Sequence, residues 1–177
     1  MIPAFVIHKK DCSERIPIVC DLIDKTNATI VNAIYYEKNG KKGCRESHLL
    51  VAKCVKSSNP NSYYLVFEDD CVLKDGWEKA LEKYEEYDII YLGCNDVCVH
   101  TIFGTHALII SPKVRDLIIQ HTEEYSKENE AYDWILSAII RNYKLKIKVI
   151  IPNVAIQKEG VISLITGNPR KVLKVFS

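Results

Sequence analysis

One stretch constrains this chain more than any other. In Tyr63-Tyr64-Leu65-Val66-Phe67-Glu68-Asp69-Asp70, β-prone apolar residues end abruptly in three consecutive carboxylates. A continuous apolar run of this length predicts a strand buried on both faces, as in a sheet covered by helices. The acids then stand at its carboxyl end, and the crevice outside the carboxyl ends of the strands is where open α/β sheets bind ligands. Like charges packed this closely repel, so the arrangement becomes favourable when a divalent cation or a set of hydrogen-bond donors lies among them.

The rest of the chain alternates between strand and helix patterns. Pro3 to His8 reads as a first strand. Ser13 then caps a helix that buries Ile16, Val19, Cys20 and Ile23, with Pro17 tolerated near its start. A second strand at Ala28 to Tyr35 precedes a turn through Glu37 to Lys42, and Gly43 opens a helix carrying Leu49, Ala52 and Val55. Ser57 to Asn61 ends that helix with strong breaker chemistry. Asp75-Gly76-Trp77 leads into a helix reaching Glu86, and Asp88 to Gly93 is a short buried strand. From Cys94 to Thr105 the periodicity lapses, which predicts a surface loop bordering a site. His106 to Ile110 is a strand, Ser111-Pro112 a helix start, and Tyr132 to Tyr143 a further helix. Leu145 to Val149 alternates as an edge strand does, and Pro152 to Gln157 is read as its continuation. The basic tail from Pro169 to Ser177 has too little pattern to assign. This order predicts a single three-layer α/β domain over residues 1–177 with a largely parallel sheet.

Several function classes are set aside. A net charge of +1 carries no polyelectrolyte signature, so no nucleic-acid partner is expected. No apolar run approaches the roughly 20 residues of a transmembrane helix, and the apolar start is too short for a signal peptide. A cytoplasmic protein with no membrane span is therefore expected, peripheral membrane contact remaining open. Cys94 and Cys98 have no second pair at zinc-site spacing, which favours buried thiols. Neither Gly-x-Gly-x-x-Gly nor a P-loop is present, and there is no Gly-x-Ser-x-Gly elbow. A phosphorylated ligand would have to be held by a metal and scattered basic groups, with Glu68-Asp69-Asp70 supplying the metal.

A family resemblance rests on Arg15 after the first strand, Gly43-Cys44-x-x-Ser47-His48, Leu65-Val66-Phe67-Glu68-Asp69-Asp70, Tyr87-Asp88-Ile89-Ile90-Tyr91-Leu92-Gly93, Gly104-Thr105-His106-Ala107 with Ser111, and Asp133-Trp134. In order and spacing these resemble glycosyltransferase family 25, which includes lipooligosaccharide and collagen galactosyltransferases, over about residues 3–157. The resemblance implies a GT-A fold, a three-layer α/β/α sandwich with a mostly parallel mixed sheet. It also implies a UDP-sugar donor, Mn²⁺ (or Mg²⁺), a glycan, glycolipid or glycoprotein acceptor, and inverting transfer of a hexose such as galactose or glucose. The chain is shorter than typical members, His8 and Lys9 stand where Asn-Leu is usual, and Leu108 replaces a common Tyr.

Expected roles follow residue by residue. Asp70 is the first choice of metal ligand, with Glu68 binding directly or through water. Gln157 stands where a histidine often completes the metal shell of GT-A enzymes. Asp69 would accept from ribose hydroxyls or join the metal shell; the plainer reading of all three acids is a solvated turn capping the next helix. Asp133, in the first turn of its helix, is the expected general base, with Glu130 as substitute. An acid there also serves merely as a partner for the helix dipole. Ser47 and His48 would line the donor pocket at a helix start, with His8 and His106 as further pocket residues. Arg15, Lys9 and Lys158 would pair with phosphate, or simply be solvated. Trp77 and Trp134 are read as core anchors. Two other classes stay open: a noncatalytic GT-A-like domain that binds a nucleotide sugar or glycan, and a sugar nucleotidyltransferase.

Overall fold

The structure, a computed structural model, describes residues 2–98, 101–124 and 130–159. The tail from Pro169 and the Cys98 side chain lie outside the description. The strands and helices in chain order are β1 (Ala4–His8), α1 (Ile16–Thr26), β2 (Thr29–Asn32), α2 (Gly40–Ser58), β3 (Tyr64–Glu68), β4 (Cys71–Leu73), β5 (Ile89–Tyr91), β6 (Asp96–Cys98), β7 (Thr101–Phe103), β8 (Ala107–Ile110), α3 (Pro112–Glu124), α4 (Tyr132–Tyr143), β9 (Ile147–Val149) and β10 (Ala155–Gln157).

Alternation along the strands builds the layers, because successive side chains leave a strand on opposite faces. Tyr64 and Val66 of β3, Ile89 and Tyr91 of β5, and Leu108 and Ile110 of β8 enter one apolar cluster with Leu49, Val55, Ile118 and Ile135 of α2, α3 and α4. Leu65, Phe67, Ile90, Ala107 and Ile109 enter another with Val19 and Leu22 of α1 and with Leu73, Trp77 and Ala80. A sheet of six strands in the order β2-β1-β3-β8-β5-β9 thus lies between two cores. β1 runs parallel to β2 and β3, and β5 parallel to β9, while β8 is antiparallel to both β3 and β5. The sheet is mixed and mostly parallel. The carboxyl ends of β1, β2 and β3 consequently open on the same edge.

Local chemistry sets the helix ends. Asn39 Oδ1 accepts from the Lys42 amide at the start of α2, and Ser111 Oγ accepts from the Val114 amide at the start of α3. α1 stops at Asn27, which takes the left-handed conformation that short polar side chains tolerate.

The structure corrects the sequence reading in several places. Ser13 makes no side-chain cap; Ser13–Arg15 is a 3-10 turn leading into α1, and Ile16 and Cys20 are exposed while Leu22 is buried. Trp77–Leu81 and Tyr84–Glu86 are separate 3-10 turns rather than one helix, because between them Glu82 is extended and Lys83 adopts positive φ. The segment read as a surface loop is a β6–β7 hairpin, with Cys94, Ile102 and Thr105 buried. β10 does not extend β9. It pairs antiparallel with β4, a strand too short for period alone to reveal. Among the described residues no helix is long and apolar enough to cross a membrane.

Gly93, just past β5, has no room for a side chain: a Cβ there would stand 1.8 Å from the Ala155 carbonyl oxygen and 2.8 Å from His106 Nε2.

Candidate functional site

A pocket opens at the shared carboxyl edge of β1, β2 and β3. Ile7, Lys9 and Arg15 line it from the β1 side, Ala33, Ile34 and Tyr35 from beyond β2, and Gly40, Gly43, Cys44, Ser47 and His48 from α2. Glu68, Asp69 and Asp70 complete it at the tip of β3.

The crowded acids are relieved first by donors. Asp69 is 4% exposed and forms an ion pair with Arg15, which is itself 3% exposed. Its Oδ2 lies 2.9 Å from His8 Nδ1 and accepts from the Lys9 amide at 3.1 Å. Burial alone would lower the Arg15 pKa, but the Asp69 and Asp70 charges and the Asp69 hydrogen bond more than offset it, so the guanidinium is held charged. Asp69 is thereby committed to the protein, which differs from the ribose or metal contact expected of it. Arg15 and His8 are likewise drawn to Asp69, and Arg15 is not a solvated surface cation.

Asp70, 1% exposed, lies 4.0 Å from Arg15 Nη1 and 3.4 Å from the donating Nε2 of Gln157. Gln157 Oε1 in turn accepts from Asn95 Nδ2 at 2.9 Å, so the amide shows its nitrogen to Asp70 rather than the oxygen a metal would use. The Lys158 amide donates to the Asp70 carbonyl at 2.7 Å, while its side chain is exposed.

Glu68 turns toward α2. Its Oε1 accepts from Thr105 Oγ1 at 2.9 Å and lies 3.5 Å from His48 Nε2 and 3.9 Å from Cys44 Sγ. The His48 ring stacks on Tyr132 at 4.1 Å between centroids. Asp133, the next residue, lies in the first turn of α4, close enough that it adds to burial in raising the Tyr91 pKa. Neither Asp133 nor Glu130 lines the pocket itself. His106 is buried just past the hairpin, with Nε2 3.3 Å from the Ala155 carbonyl.

Ser47 does not sit at a helix start. α2 begins at Gly40, so Ser47 lies two turns in, where its hydroxyl donates to Gly43 O at 2.7 Å and accepts from the Ile34 amide at 2.8 Å. The amide-rich end of α2 belongs instead to Gly40, a pocket residue the sequence reading missed. Tyr35 was missed as well: its ring carries Lys9 Nζ 3.9 Å from the centroid. Trp77 is buried as expected, whereas Trp134 is half exposed against Phe103.

Residues 24–101 match the family model described as glycosyltransferase family 25 (LPS biosynthesis protein). The family-25 segment holds every pocket residue from Ala33 to Asp70, leaving only Ile7, Lys9 and Arg15 outside it. The enzyme class it supports is glycosyltransferase. No curated protein matches the chain in sequence. Among solved structures, the chain is similar to a glycosyltransferase involved in the glycosylation of the major capsid of PBCV-1, at 8% identity and TM-score 0.60, covering 85% of this chain and 81% of that one. It is also similar to the glycosyltransferase GlyE of Streptococcus pneumoniae TIGR4, at 14% identity and TM-score 0.54, covering 85% of this chain and 45% of that one. A third is a Bacillus anthracis protein assigned as a glucose-1-phosphate thymidylyltransferase, at 11% identity and TM-score 0.51, covering 82% and 67%. These likenesses establish a GT-A-like fold.

Proposed function

We propose that the pocket binds the diphosphate of a UDP-sugar and that the chain transfers a hexose, such as galactose or glucose, to a hydroxyl of a glycan, glycolipid or glycoprotein with inversion. One observation carries this reading: Glu68 and Asp70 line a pocket at the carboxyl ends of parallel strands, inside the family-25 segment. Mn²⁺ or Mg²⁺ fits the donor set there, since these two carboxylates offer hard oxygens while Asp69 is already neutralised by Arg15. When bound, such an ion supplies Lewis-acid stabilisation of the negative charge that develops on the departing diphosphate.

The chain's own groups do the remaining work. The first turn of α2, whose Gly40 faces the pocket, favours an anion through its free amides and dipole. Lys9 adds a positive charge beside Tyr35. Asp133 takes the proton from the acceptor hydroxyl as the new glycosidic bond forms, with Glu130 as the substitute base.

The test is a thermal-shift and turnover series. A UDP-sugar present with Mn²⁺ at 100 times its Kd should stabilise the chain by about 2.7 kcal/mol, and UDP alone or an unrelated nucleotide by less. Asp70→Asn should lose the stabilisation, together with acceptor-dependent UDP release. Stabilisation without release over a broad acceptor panel would instead make the domain a noncatalytic binder. The thymidylyltransferase-like fold neighbour supports one alternative, a sugar nucleotidyltransferase; pyrophosphate release from UTP and a sugar 1-phosphate would select it.

A further inference from the structure

Cys44 and His48 stand one helical turn apart on α2, so both reach the same side, and Glu68 meets them from the tip of β3. One ligand atom from each of the three lies within 4.8 Å of the other two, and all three residues line the pocket. His48 is 2% exposed, and its Nε2, directed at Glu68, has no hydrogen-bond partner among the described residues. A buried ring nitrogen left this way has lost its water without replacement. Stacking on Tyr132 holds the ring in that orientation.

We propose that Cys44, His48 and Glu68 form a three-ligand site for a zinc-class divalent ion, with a further coordination position facing the pocket. Thiolate, imidazole and carboxylate together suit Zn²⁺ or Co²⁺ and are a poor set for Mg²⁺ or Mn²⁺, which prefer oxygen throughout. Tetrahedral coordination at about 2.0–2.3 Å sets ligand atoms roughly 3.3–3.7 Å apart. The Glu68–His48 separation of 3.5 Å already meets this, and the Glu68–Cys44 separation of 3.9 Å nearly does. Coordination takes Cys44 as the thiolate and His48 as the neutral imidazole, so the thiol proton leaves to solvent on binding. The site shares Glu68 with the hard-ion arrangement proposed above but does not depend on that reading.

The test uses Co²⁺ alone with the full chain, in the absence of nucleotide or sugar, so its outcome is separable from any result on sugar transfer. Wild type and a Cys20→Ser/Cys54→Ser control, which removes exposed thiols, should develop a thiolate-to-cobalt charge-transfer band that Zn²⁺ abolishes and excess Mg²⁺ does not. Cys44→Ser should lose the band. His48→Gln should weaken Co²⁺ binding by at least about 10- to 100-fold, the loss that removing an outer partner of a metal ligand already causes. In the unmutated chain, Zn²⁺ should protect Cys44 from alkylation as read by peptide mapping, which keeps the test independent of variant folding. No charge-transfer band in wild type, an undiminished band in Cys44→Ser, or equal alkylation of Cys44 with and without Zn²⁺ would overturn the site.

Discussion

Replacing Arg15 with Ala is expected to destabilise the fold by about 3–5 kcal/mol, the range for removing one partner of a buried ion pair. The Arg15 and Asp69 side chains are 3% and 5% exposed, so the carboxylate left behind has little water to turn to. Its remaining donors, the Lys9 amide and His8 Nδ1, provide hydrogen bonds but no permanent charge. Urea unfolding would read the loss directly. At about 2–4 °C per kcal/mol for a chain of this size, the melting temperature should fall by roughly 6–20 °C. The double variant Arg15→Ala/Asp69→Asn should recover part of the loss, because it removes the stranded charge as well as the pair. A cost for the single variant below about 1 kcal/mol would mean the pair behaves as a solvated one. Arg15→Lys should also fall short, since an ammonium lacks the planar, delocalised charge and fixed donors that make a guanidinium the better partner for a buried carboxylate.

Gly93→Ala is the second large effect, expected to cost about 3 kcal/mol, the upper part of the overpacking range. The added methyl would lie 1.8 Å from the Ala155 carbonyl oxygen, a backbone atom that cannot rotate away. That carbonyl is pinned from both sides. The Val154 and Ala155 amides donate to Leu92 O, and β10 is paired with β4. Relief requires β10 to shift off the end of β5 against its pairing with β4. Thermal unfolding gives the magnitude. Retention of wild-type stability would show that this approach is looser than the geometry indicates.

The main sheet was legible because its strands carry their own evidence: buried runs at Tyr64–Glu68, Ile89–Tyr91 and Ala107–Ile110 supply apolar residues to both faces. The β4–β10 pairing and the β6–β7 hairpin were not, since Cys71–Leu73 and Asp96–Phe103 show neither an unbroken apolar run nor a clear alternation, and the pattern of Ala155–Gln157 does not say which strand it pairs with. Burial of both Trp77 and Ala80 suits a helix or a 3-10 turn equally, and only the break at Glu82 and Lys83 decides. At the site, Glu68 and Asp70 could be located from their place after an apolar strand. What Asp69 does could not, because Arg15 lies 54 residues away and His8 61. The four-residue spacing of Cys44 and His48 was visible in the sequence, but nothing in it said that Glu68 would turn to meet them.

The rim of the pocket has a consequence for the order in which the chain is made. Arg15 has left the ribosome before Asp69 is translated, so that acid can meet its counter-charge as soon as the strand docks. Gln157, facing Asp70, arrives 87 residues later, an interval of roughly 4–17 s at about 5–20 residues per second. Until then Asp70 lacks the side-chain amide donor that it meets in the finished fold.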